Sequence, residues 1–280
     1  MVKMEKEYIL AKINLNENQV EILKSLINYA HKILNPENGE TPYSVNKKII
    51  SDVFIKTENW SNKDEIRLTL IDSMYSTNMS KRMYGISDIV KKIDELKQNN
   101  IFKKSLKEDA IGYINDENKE KYIGVISLFL SSYGMTKGDA DSQKTAPSLI
   151  SKYLYFLTDF NFPIYDSLVR ESLNNIFNLE KNMDFIYCFN KLSEINKTFS
   201  INNFDKLDNL LWLWGKIESG NYSLILDRNN YSKMVEKMKL KNKKSIEIDR
   251  EMKKRENEVM NILNNNDFIE FINLKNSWNI

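Results

Sequence analysis

The chain has 280 residues, and its 41 basic and 39 acidic side chains leave a formal net charge of +2. This length is sufficient to bury a sizeable core without disulfides or metal ions. Because Cys188 is the only cysteine and His31 the only histidine, the composition excludes an intrachain disulfide framework and argues against a protein zinc site or a Ser-His or Cys-His catalytic pair. The near-neutral charge neither requires nor excludes a nucleic-acid partner.

The first residues and the hydropathy pattern both indicate a cytoplasmic protein. Residues 1–6 lack the uninterrupted apolar region that a secretory signal needs. No segment has the run of apolar residues that spans a bilayer, so no membrane partner is expected.

Apolar residues recur at three- and four-residue steps through most of the chain, which predicts a predominantly all-α fold. The first helix is predicted over residues 16–34 with Asn16 as N-cap, and the Pro and Gly residues at 35–39 end it. Pro42 is predicted to keep the following stretch extended. A second clear helix follows Gly85, with Ser87 and Asp88 placed to cap it and to favour its dipole. Further helices are predicted near residues 64–79, 119–133, 148–158, 166–179, 204–217 and 245–264, and strand-like alternation is confined to residues 8–13.

The polar stretch at residues 132–141 contains two of the eight glycines and predicts a connecting loop. It divides the chain into two helical lobes. We expect an N-terminal helical segment over residues 1–60 that packs on the core, a first lobe over 61–133, a connecting loop over 134–147, and a second lobe over 148–280 that ends in a basic helix.

The helix that covers residues 68–79 ends in small polar side chains, among them Ser76, Thr77 and Asn78. Such side chains compete for backbone hydrogen bonds and are not ordinarily placed beside a core face. They indicate either a capped helix end or a polar surface with a local use.

Lys152 lies on an apolar helix, and Asp166 lies at the start of the next one. Leu149, Tyr153 and Phe156 share the helical stripe of Lys152. Burial there disfavours the ammonium form, which makes an amine nucleophilic near neutral pH. The alternatives are that Lys152 extends its amine to solvent and that Asp166 is only an N-cap.

This order of features resembles the helix-hairpin-helix DNA glycosylases, in particular the 8-oxoguanine glycosylase-like branch. Residues 70–78 resemble the family's Leu-x-Ser-x-Gln/Asn segment that faces DNA, residues 152–156 resemble the lysine helix of the archaeal variant, and Pro-Ile-Tyr-Asp at 163–166 is similar to its Pro-x-x-Asp. The resemblance covers about residues 60–180. It implies two all-α lobes with a DNA-binding cleft between them.

The resemblance also implies an activity: flipping an oxidised purine-type base out of double-stranded DNA and cleaving its N-glycosidic bond through a lysine Schiff base. Lys152 would attack C1′, and Asp166 would stabilise the charge that develops on the sugar. No cofactor or metal is called for. Residues expected to contact DNA are Ser76, Thr77, Asn78, Lys81, Arg82, Ser148, Trp212, Lys239 and Lys241.

Two departures from the family pattern leave this interpretation open. Ala-Pro-Ser-Leu-Ile at residues 146–150 stands where the family has a Gly-x-Gly turn that holds a phosphate. The spacing from Lys152 to Asp166 is a few residues shorter than usual for the family, whereas Lys144, in a Lys-Thr-Ala segment, gives a spacing a few residues too long. Lys144 therefore remains an alternative nucleophile.

Two further stretches allow two interpretations each. Residues 204–216 place Leu207, Leu210, Leu211 and Trp214 on one helical face and Trp212 elsewhere, which indicates a packing helix or a surface on which a base stacks. The lysines at 233–244 form either a solvated face or a patch that contacts phosphates.

Two other functions compete with the glycosylase. One is a non-catalytic DNA-binding protein of this fold with a phage-defence or regulatory role, which the missing Gly-x-Gly turn favours. The other is a helical protein-interaction module, which the near-neutral charge favours. Salt-dependent binding to duplex DNA separates the first two functions from the third, and borohydride trapping on damaged DNA separates the glycosylase from the non-catalytic protein.

Overall fold

The computed structural model describes residues 15–37, 41–136, 139–219, 247, 250 and 266–278. Within them the fold is predominantly α-helical, as predicted, and β-structure is limited to three isolated bridges. The α-helices are α1 (Glu17–Leu34), α2 (Pro42–Lys56), α3 (Lys63–Tyr75), α4 (Gly85–Gln98), α5 (Leu106–Asn115), α6 (Ile123–Leu130), α7 (Pro147–Leu157), α8 (Ser167–Phe177), α9 (Phe185–Thr198), α10 (Asp205–Glu218) and α11 (Asn266–Ser277). Short 3₁₀ helices cover Lys119–Tyr122 and Ala140–Ser142.

The first helix begins and ends where the sequence predicts. The Asn16 side chain accepts from the backbone N–H of Gln19, whose side chain accepts from the N–H of Asn16 in return. This reciprocal capping box fixes the start of α1. At the other end, the backbone N–H of Asn35 donates to the carbonyl of His31 and closes the last turn.

The prediction for Pro42 was wrong. Pro42 is the first residue of α2, and Thr41 is its N-cap, with a side chain that accepts from the backbone N–H of Ser44. A proline fits the first turn of a helix because its missing N–H would have no partner there and its φ angle is already helical. Proline can therefore either end or begin a helix. At Pro42, the capping interaction between Thr41 and Ser44 favours the start of a helix.

The predicted capping of α4 was also wrong, although Asp88 lies in the first turn, where its charge favours the helix dipole as predicted. The N-cap is Tyr84, in the left-handed conformation with φ of 60°, and it makes no side-chain capping bond. The Ser87 hydroxyl donates to the carbonyl of Tyr84. The Asp88 carboxylate instead accepts from the backbone N–H of Gly134 at 3.0 Å, so it ties α4 to the loop before α7.

Other predicted helices are present with shifted bounds. The segment predicted near 119–133 is a 3₁₀ turn followed by α6, which ends at Leu130. Four helices, α2, α5, α9 and α11, are not predicted by the sequence pattern. The predicted strand at 8–13 and the lysines at 233–244 lie outside the described residues, as does the helix at 245–264 except for Glu247 and Arg250.

Helix α7 lies at the centre of the fold. Every residue from 149 to 156 is buried, because α7 packs against α2, α3, α5 and α6. A helix that is apolar on nearly all sides is stable only in such a position. The first and last parts of the chain meet elsewhere: α1 packs against α10 and α11, and α10 packs against α8.

One continuous hydrophobic core joins these groups of helices. Of the helices in the described ranges, none has the length and apolar character needed to cross a membrane. The division into two lobes with the predicted boundaries stays a prediction.

Candidate active site

Lys152 lies in the middle of α7, and the packing of that helix buries its amine. The residue is 3 % exposed. Its Nζ donates to Oδ2 of Asp166 at 2.6 Å and to Oγ of Ser148, one helical turn earlier, at 2.9 Å. Lys152 is therefore an internal cation with two oxygen partners.

Asp166 uses its two carboxylate oxygens differently. Oδ2 accepts from Lys152, and Oδ1 accepts from the backbone N–H of Val169 at 2.9 Å, which makes Asp166 the N-cap of α8. Burial raises the pKa of this carboxyl, but the Lys152 ammonium and the N–H groups of Val169 and Leu168 lower it by more, so the pKa lies below its ordinary value. Asp166 is thus an anion at neutral pH.

Tyr75, the last residue of α3, covers the amine. The Lys152 Nζ lies 5.4 Å from the centroid of its ring, a distance at which the ring face stabilises a cation. Burial raises the pKa of Tyr75, and the negative charges of Asp208, Asp166 and Asp205 raise it further. The phenol therefore stays protonated beside three carboxylates.

Lys47 of α2 forms a second buried lysine–aspartate pair in the same region. Its Nζ donates to Oδ1 of Asp205, and the same oxygen accepts from the Tyr155 hydroxyl at 3.2 Å. The ammonium lies 5.4, 5.1 and 4.7 Å from the ring centroids of Tyr43, Tyr155 and Phe160. Three aromatic rings and one carboxylate hold this cation in place.

Asp208, in the first turn of α10, is the third carboxylate. The Tyr43 hydroxyl donates to its Oδ2 at 2.7 Å. Burial raises the pKa of Asp208 most, Lys47 and the Tyr43 hydrogen bond oppose this, and the charges of Asp205 and Asp166 add to it, so that the pKa is about 6. The site therefore combines one carboxyl of lowered pKa with one of raised pKa, a combination that separates the functions of the two groups.

Apolar surroundings account for the poor solvation of Asp208. It lines a narrow crevice together with apolar side chains, among them Pro163, Ile164, Leu207 and Leu211. Water solvates a carboxylate poorly there, and the neutral acid is favoured.

Trp212, one turn after Asp208 on α10, gives the site an aromatic edge. Its ring packs on Tyr43 with the centroids 4.8 Å apart and the planes at 48°. The Nζ of Lys216 lies 5.5 Å from the Trp212 ring. Trp212 is partly exposed, so an aromatic surface lies next to the carboxylates.

His31 reaches the cluster from α1. Its Nδ1 lies 2.8 Å from Nδ2 of Asn209 and 3.9 Å from Oδ2 of Asp205. Burial lowers the pKa of His31 more than the negative charge of Asp205 raises it. The neutral ring accepts from the Asn209 amide and lies beside the Asp205 carboxylate.

The other sequence-predicted site residues lie at different places. Ser148 accepts from Lys152 and belongs to the amine's surroundings. The side chain of Lys144 is exposed, and its backbone pairs with Tyr133. No contact joins the Lys144 side chain to Asp166 among the residues described.

The polar residues after α3 form an exposed loop over residues 76–84. The Thr77 hydroxyl donates to the Asp72 carboxylate, whereas Ser76 and Asn78 are exposed and have positive φ angles of 52° and 65°. Lys81 is exposed. The hydrogen bond from Thr77 to Asp72 therefore anchors the loop to α3, while Ser76 and Asn78 are exposed to solvent.

Arg82 is directed away from that tip. Its Nη2 donates to the backbone carbonyls of Ser142 and Gly134, in the segment that precedes α7. Lys239 and Lys241 lie outside the described residues.

Five residues that complete the site are not predicted as site residues by the sequence pattern: Tyr43, Lys47, Tyr75, Asp205 and Asp208. Two come from α2, which was predicted as extended. Asp205 and Asp208 sit in the first turn of α10, where acidic residues are common for reasons of the helix dipole alone. The four-residue spacing from Asp208 to Trp212, which puts both on one helical face, was the available signal.

The arrangement brings two lysines, three carboxylates and several tyrosines to the junction of α2, α3, α7, α8 and α10. The ionised Asp166 carboxylate favours the ammonium form of Lys152, so Lys152 can act as a nucleophile only after it gives up a proton. A carboxyl with a pKa of about 6 is suited to proton transfer. No protein-family model, curated protein or solved structure matches this chain.

Proposed function

We propose that this chain is a DNA glycosylase and lyase that excises an oxidised purine-type base through a Schiff base formed by Lys152. The observation that carries the proposal is the contact between the buried Lys152 amine and Asp166, at 2.6 Å. Internal lysines are rare because burial of an unpaired ammonium is costly. The Lys152 amine is held beside the Asp166 carboxylate and the Tyr75 ring.

Lys152 first loses its ammonium proton to solvent, and the neutral amine attacks C1′ of the target nucleoside. The C1′–N bond to the base breaks, and the base leaves with the bonding electron pair and takes up the proton that the attacking nitrogen loses. The C1′–O4′ bond then breaks as the nitrogen lone pair forms the C1′=N bond of the Schiff base, and O4′ takes up a proton from solvent. Positive charge develops on the sugar as the bond to the base breaks, and the Asp166 carboxylate stabilises it. The N-cap bond from Val169 holds the carboxylate in position throughout.

The aromatic edge supports a flipped base as substrate. Trp212 packs on Tyr43 and is partly exposed, and the stacking of a base on such a ring contributes about 1–3 kcal/mol. Unstacking the base from duplex DNA costs a few kcal/mol, so this surface offsets part of the cost.

The loop over residues 76–84 supports contact with a duplex. Met83 and Tyr84 at its end are 45 % and 54 % exposed, and the exposed Lys91 amine lies 5.9 Å from the Tyr84 ring. A Cβ at Gly134 would lie 2.7 Å from the Cα of Gly85, so a glycine is needed where the neighbouring segment packs on this loop. Exposed apolar and basic residues on an anchored loop are suited to a nucleic-acid surface.

Borohydride trapping tests the proposal. The unmodified protein is incubated with a duplex that carries 8-oxoguanine and with one that carries an abasic site. We expect a covalent adduct after reduction with both. Lys152→Gln should give none, and Lys144→Gln, the matched control, should give as much as the unmodified protein. Loss of the adduct in Lys144→Gln alone would transfer the nucleophile to Lys144.

A non-catalytic DNA-binding protein of this fold is the second candidate, and one observation favours it. Helix α7 has Pro147 in its first turn and no side-chain cap, so the start of the helix lacks one of the N–H groups that hold a phosphate. Salt-dependent duplex binding with no adduct on any damaged or mispaired duplex would establish this candidate instead.

A further inference from the structure

We infer that the side chain of Tyr75 controls access to the Lys152 amine, so that a substrate reaches the amine only when this ring turns aside. The inference rests on the proposed function for the identity of the substrate, a nucleoside flipped out of DNA. The contact that carries it is the Tyr75 ring, whose centroid lies 5.4 Å from Nζ of Lys152. Tyr75 is thus a positioning residue that decides when the amine is accessible.

The Lys152 amine is too deeply buried for a sugar to approach it in this arrangement. The residue is 3 % exposed. Its Nζ donates to Oδ2 of Asp166 at 2.6 Å and to Oγ of Ser148 at 2.9 Å, and the Tyr75 ring is its third contact. An attacking amine must come within about 3–3.5 Å of the carbon that it attacks. At least one of these three contacts must therefore open before Lys152 meets C1′.

Two of the three contacts are fixed by secondary structure. Ser148 lies one turn before Lys152 on the same helix, α7. Asp166 is held at the start of α8, because its second oxygen accepts from the N–H of Val169 at 2.9 Å. Tyr75 belongs to another helix, α3, which packs against α7. The Tyr75 side chain is therefore the contact that can open without distorting α7 or breaking the cap of α8.

The hydroxyl of Tyr75 does not hold the ring in place. It makes no hydrogen bond with any residue that the structure describes. The hydroxyls of the neighbouring Tyr43 and Tyr155, in contrast, donate to carboxylates, so turning either of those rings would break a bond to a charged acceptor. Turning Tyr75 gives up only the contact with Lys152 and a ring contact with Phe156, whose centroid is 6.4 Å away.

The position of Tyr75 in the chain connects the ring to the proposed duplex-binding loop. Tyr75 is the last residue of α3, and Ser76 follows it in the left-handed conformation with φ of 52°. The loop over residues 76–84 thus begins at the next residue. The Asp72 carboxylate, one turn before Tyr75, anchors this loop through two backbone N–H groups at 2.8 and 2.9 Å. A duplex bound to the loop lies next to the ring, where it is placed to turn the ring aside.

Reductive methylation tests this role of Tyr75 without DNA. Formaldehyde condenses with a neutral amine, cyanoborohydride reduces the imine, and peptide mass spectrometry gives the rate at each lysine. The rate at Lys152 is divided by the rate at Lys191, which is 0 % exposed on α9 and so reports any general loosening of the fold. In Tyr75→Ala this ratio should rise about tenfold, the change expected for loss of a desolvated cation–π contact. Tyr75→Phe, which keeps the ring, should leave the ratio unchanged.

Tyr75→Leu provides a second variant, which retains apolar volume beside Phe156 but has no ring face. It should also raise the ratio. Tyr29→Ala is the matched control, because the Tyr29 ring lies 5.9 Å from Nζ of Lys32, an exposed lysine. Removal of that ring should leave the methylation rates of Lys32 and Lys152 unchanged.

A ratio that stays at the unmodified value in folded Tyr75→Ala or Tyr75→Leu overturns the inference. A rise of equal size in Tyr75→Phe also overturns it, because the hydroxyl and not the ring would then restrict access to the amine. Failure of the proposed function gives a different result, the absence of a borohydride-trapped adduct on an abasic duplex in the unmodified protein and in every variant. The two failures are distinguishable because methylation requires no DNA.

Discussion

The ammonium of Lys152 and the carboxylate of Asp166 form an ion pair, and the Asp166 carboxylate also caps the N-terminus of α8. Lys152 Nζ lies 2.6 Å from Oδ2, and the Val169 N–H lies 2.9 Å from Oδ1. Replacing Asp166 with Asn removes the charge and keeps an N-cap, whereas replacing it with Ala removes both. The two substitutions therefore separate the contributions of the pair and of the cap.

Both substitutions should destabilise the fold, although neither removes buried apolar volume, because each leaves the Lys152 ammonium buried without a counter-charge. We expect Asp166→Asn to lower the free energy of unfolding by about 3 kcal/mol, and Asp166→Ala to lower it by about 1 kcal/mol more through loss of the cap. The double variant Lys152→Met with Asp166→Asn should recover most of the loss. Denaturant unfolding measures all three, and equal stability of the Asn and unmodified proteins would show that the pair is not buried in solution.

Asp208 should make the protein less stable as the pH rises. Its pKa is about 6 in the folded chain and about 3.9 in the unfolded chain. The folded chain thus binds the proton more tightly, so this contribution is fully present below about pH 4 and is lost as the pH rises through 6. Asp208→Asn, which cannot ionise, should be more stable than the unmodified protein by about 3 kcal/mol at pH 8. The difference should vanish at pH 4, and thermal unfolding at the two values checks it.

Helical periodicity predicted much of the core, because apolar residues that recur at three- and four-residue steps lie on the buried face of a helix. The stripe that contains Leu149, Tyr153 and Phe156 predicts that α7 is a buried helix. Lys152 lies on the same stripe, so its burial is predicted as well. The position of Asp166 followed from helix-capping chemistry. Both are local signals, because they depend on neighbours within one or two helical turns.

The rest of the site depends on contacts between distant parts of the chain. Tyr43 meets Asp208, and Lys47 meets Asp205, across more than 150 residues. Lys47 lies in a stretch that the sequence predicts to be extended, so no helical periodicity indicates that it is buried. Asp205 and Asp208 lie in the first turn of α10, where the helix dipole alone explains acidic residues. Only the packing of α2 against the rest of the fold shows that these side chains share one environment.

The Lys47–Asp205 pair should contribute strongly to stability. Lys47 is 7 % exposed, so Lys47→Met leaves the Asp205 charge without its partner, and we expect a loss of about 3 kcal/mol. Lys47→Met should also raise the pKa of Asp208, since the Lys47 charge lowers it. A double-mutant cycle with Asp205→Asn should give a coupling energy of about 2 kcal/mol. The exposed pair Lys24–Glu21 is the matched control and should give less than about 0.5 kcal/mol.

The last prediction concerns the loop over residues 76–84, which we propose as a duplex-binding surface. Lys81 is exposed and, within the described residues, forms no ion pair, so its amine is available to a phosphate. Lys107 is also exposed but is already paired with Asp159 at 2.6 Å. If Lys81 contacts one phosphate, Lys81→Gln should reduce the slope of log affinity against log salt by about 0.9 on every sequence, because one fewer counterion is released.

Lys107→Gln should leave that slope unchanged. Binding of a labelled duplex between about 50 and 200 mM salt covers the range in which such slopes are resolved. The same titration with several of the lysines at 233–244 changed to Gln should reduce the slope further if that patch also contacts phosphates. An unmodified protein whose affinity does not depend on salt would contradict the DNA partner itself, and it would return the chain to the protein-interaction module that its near-neutral charge allows.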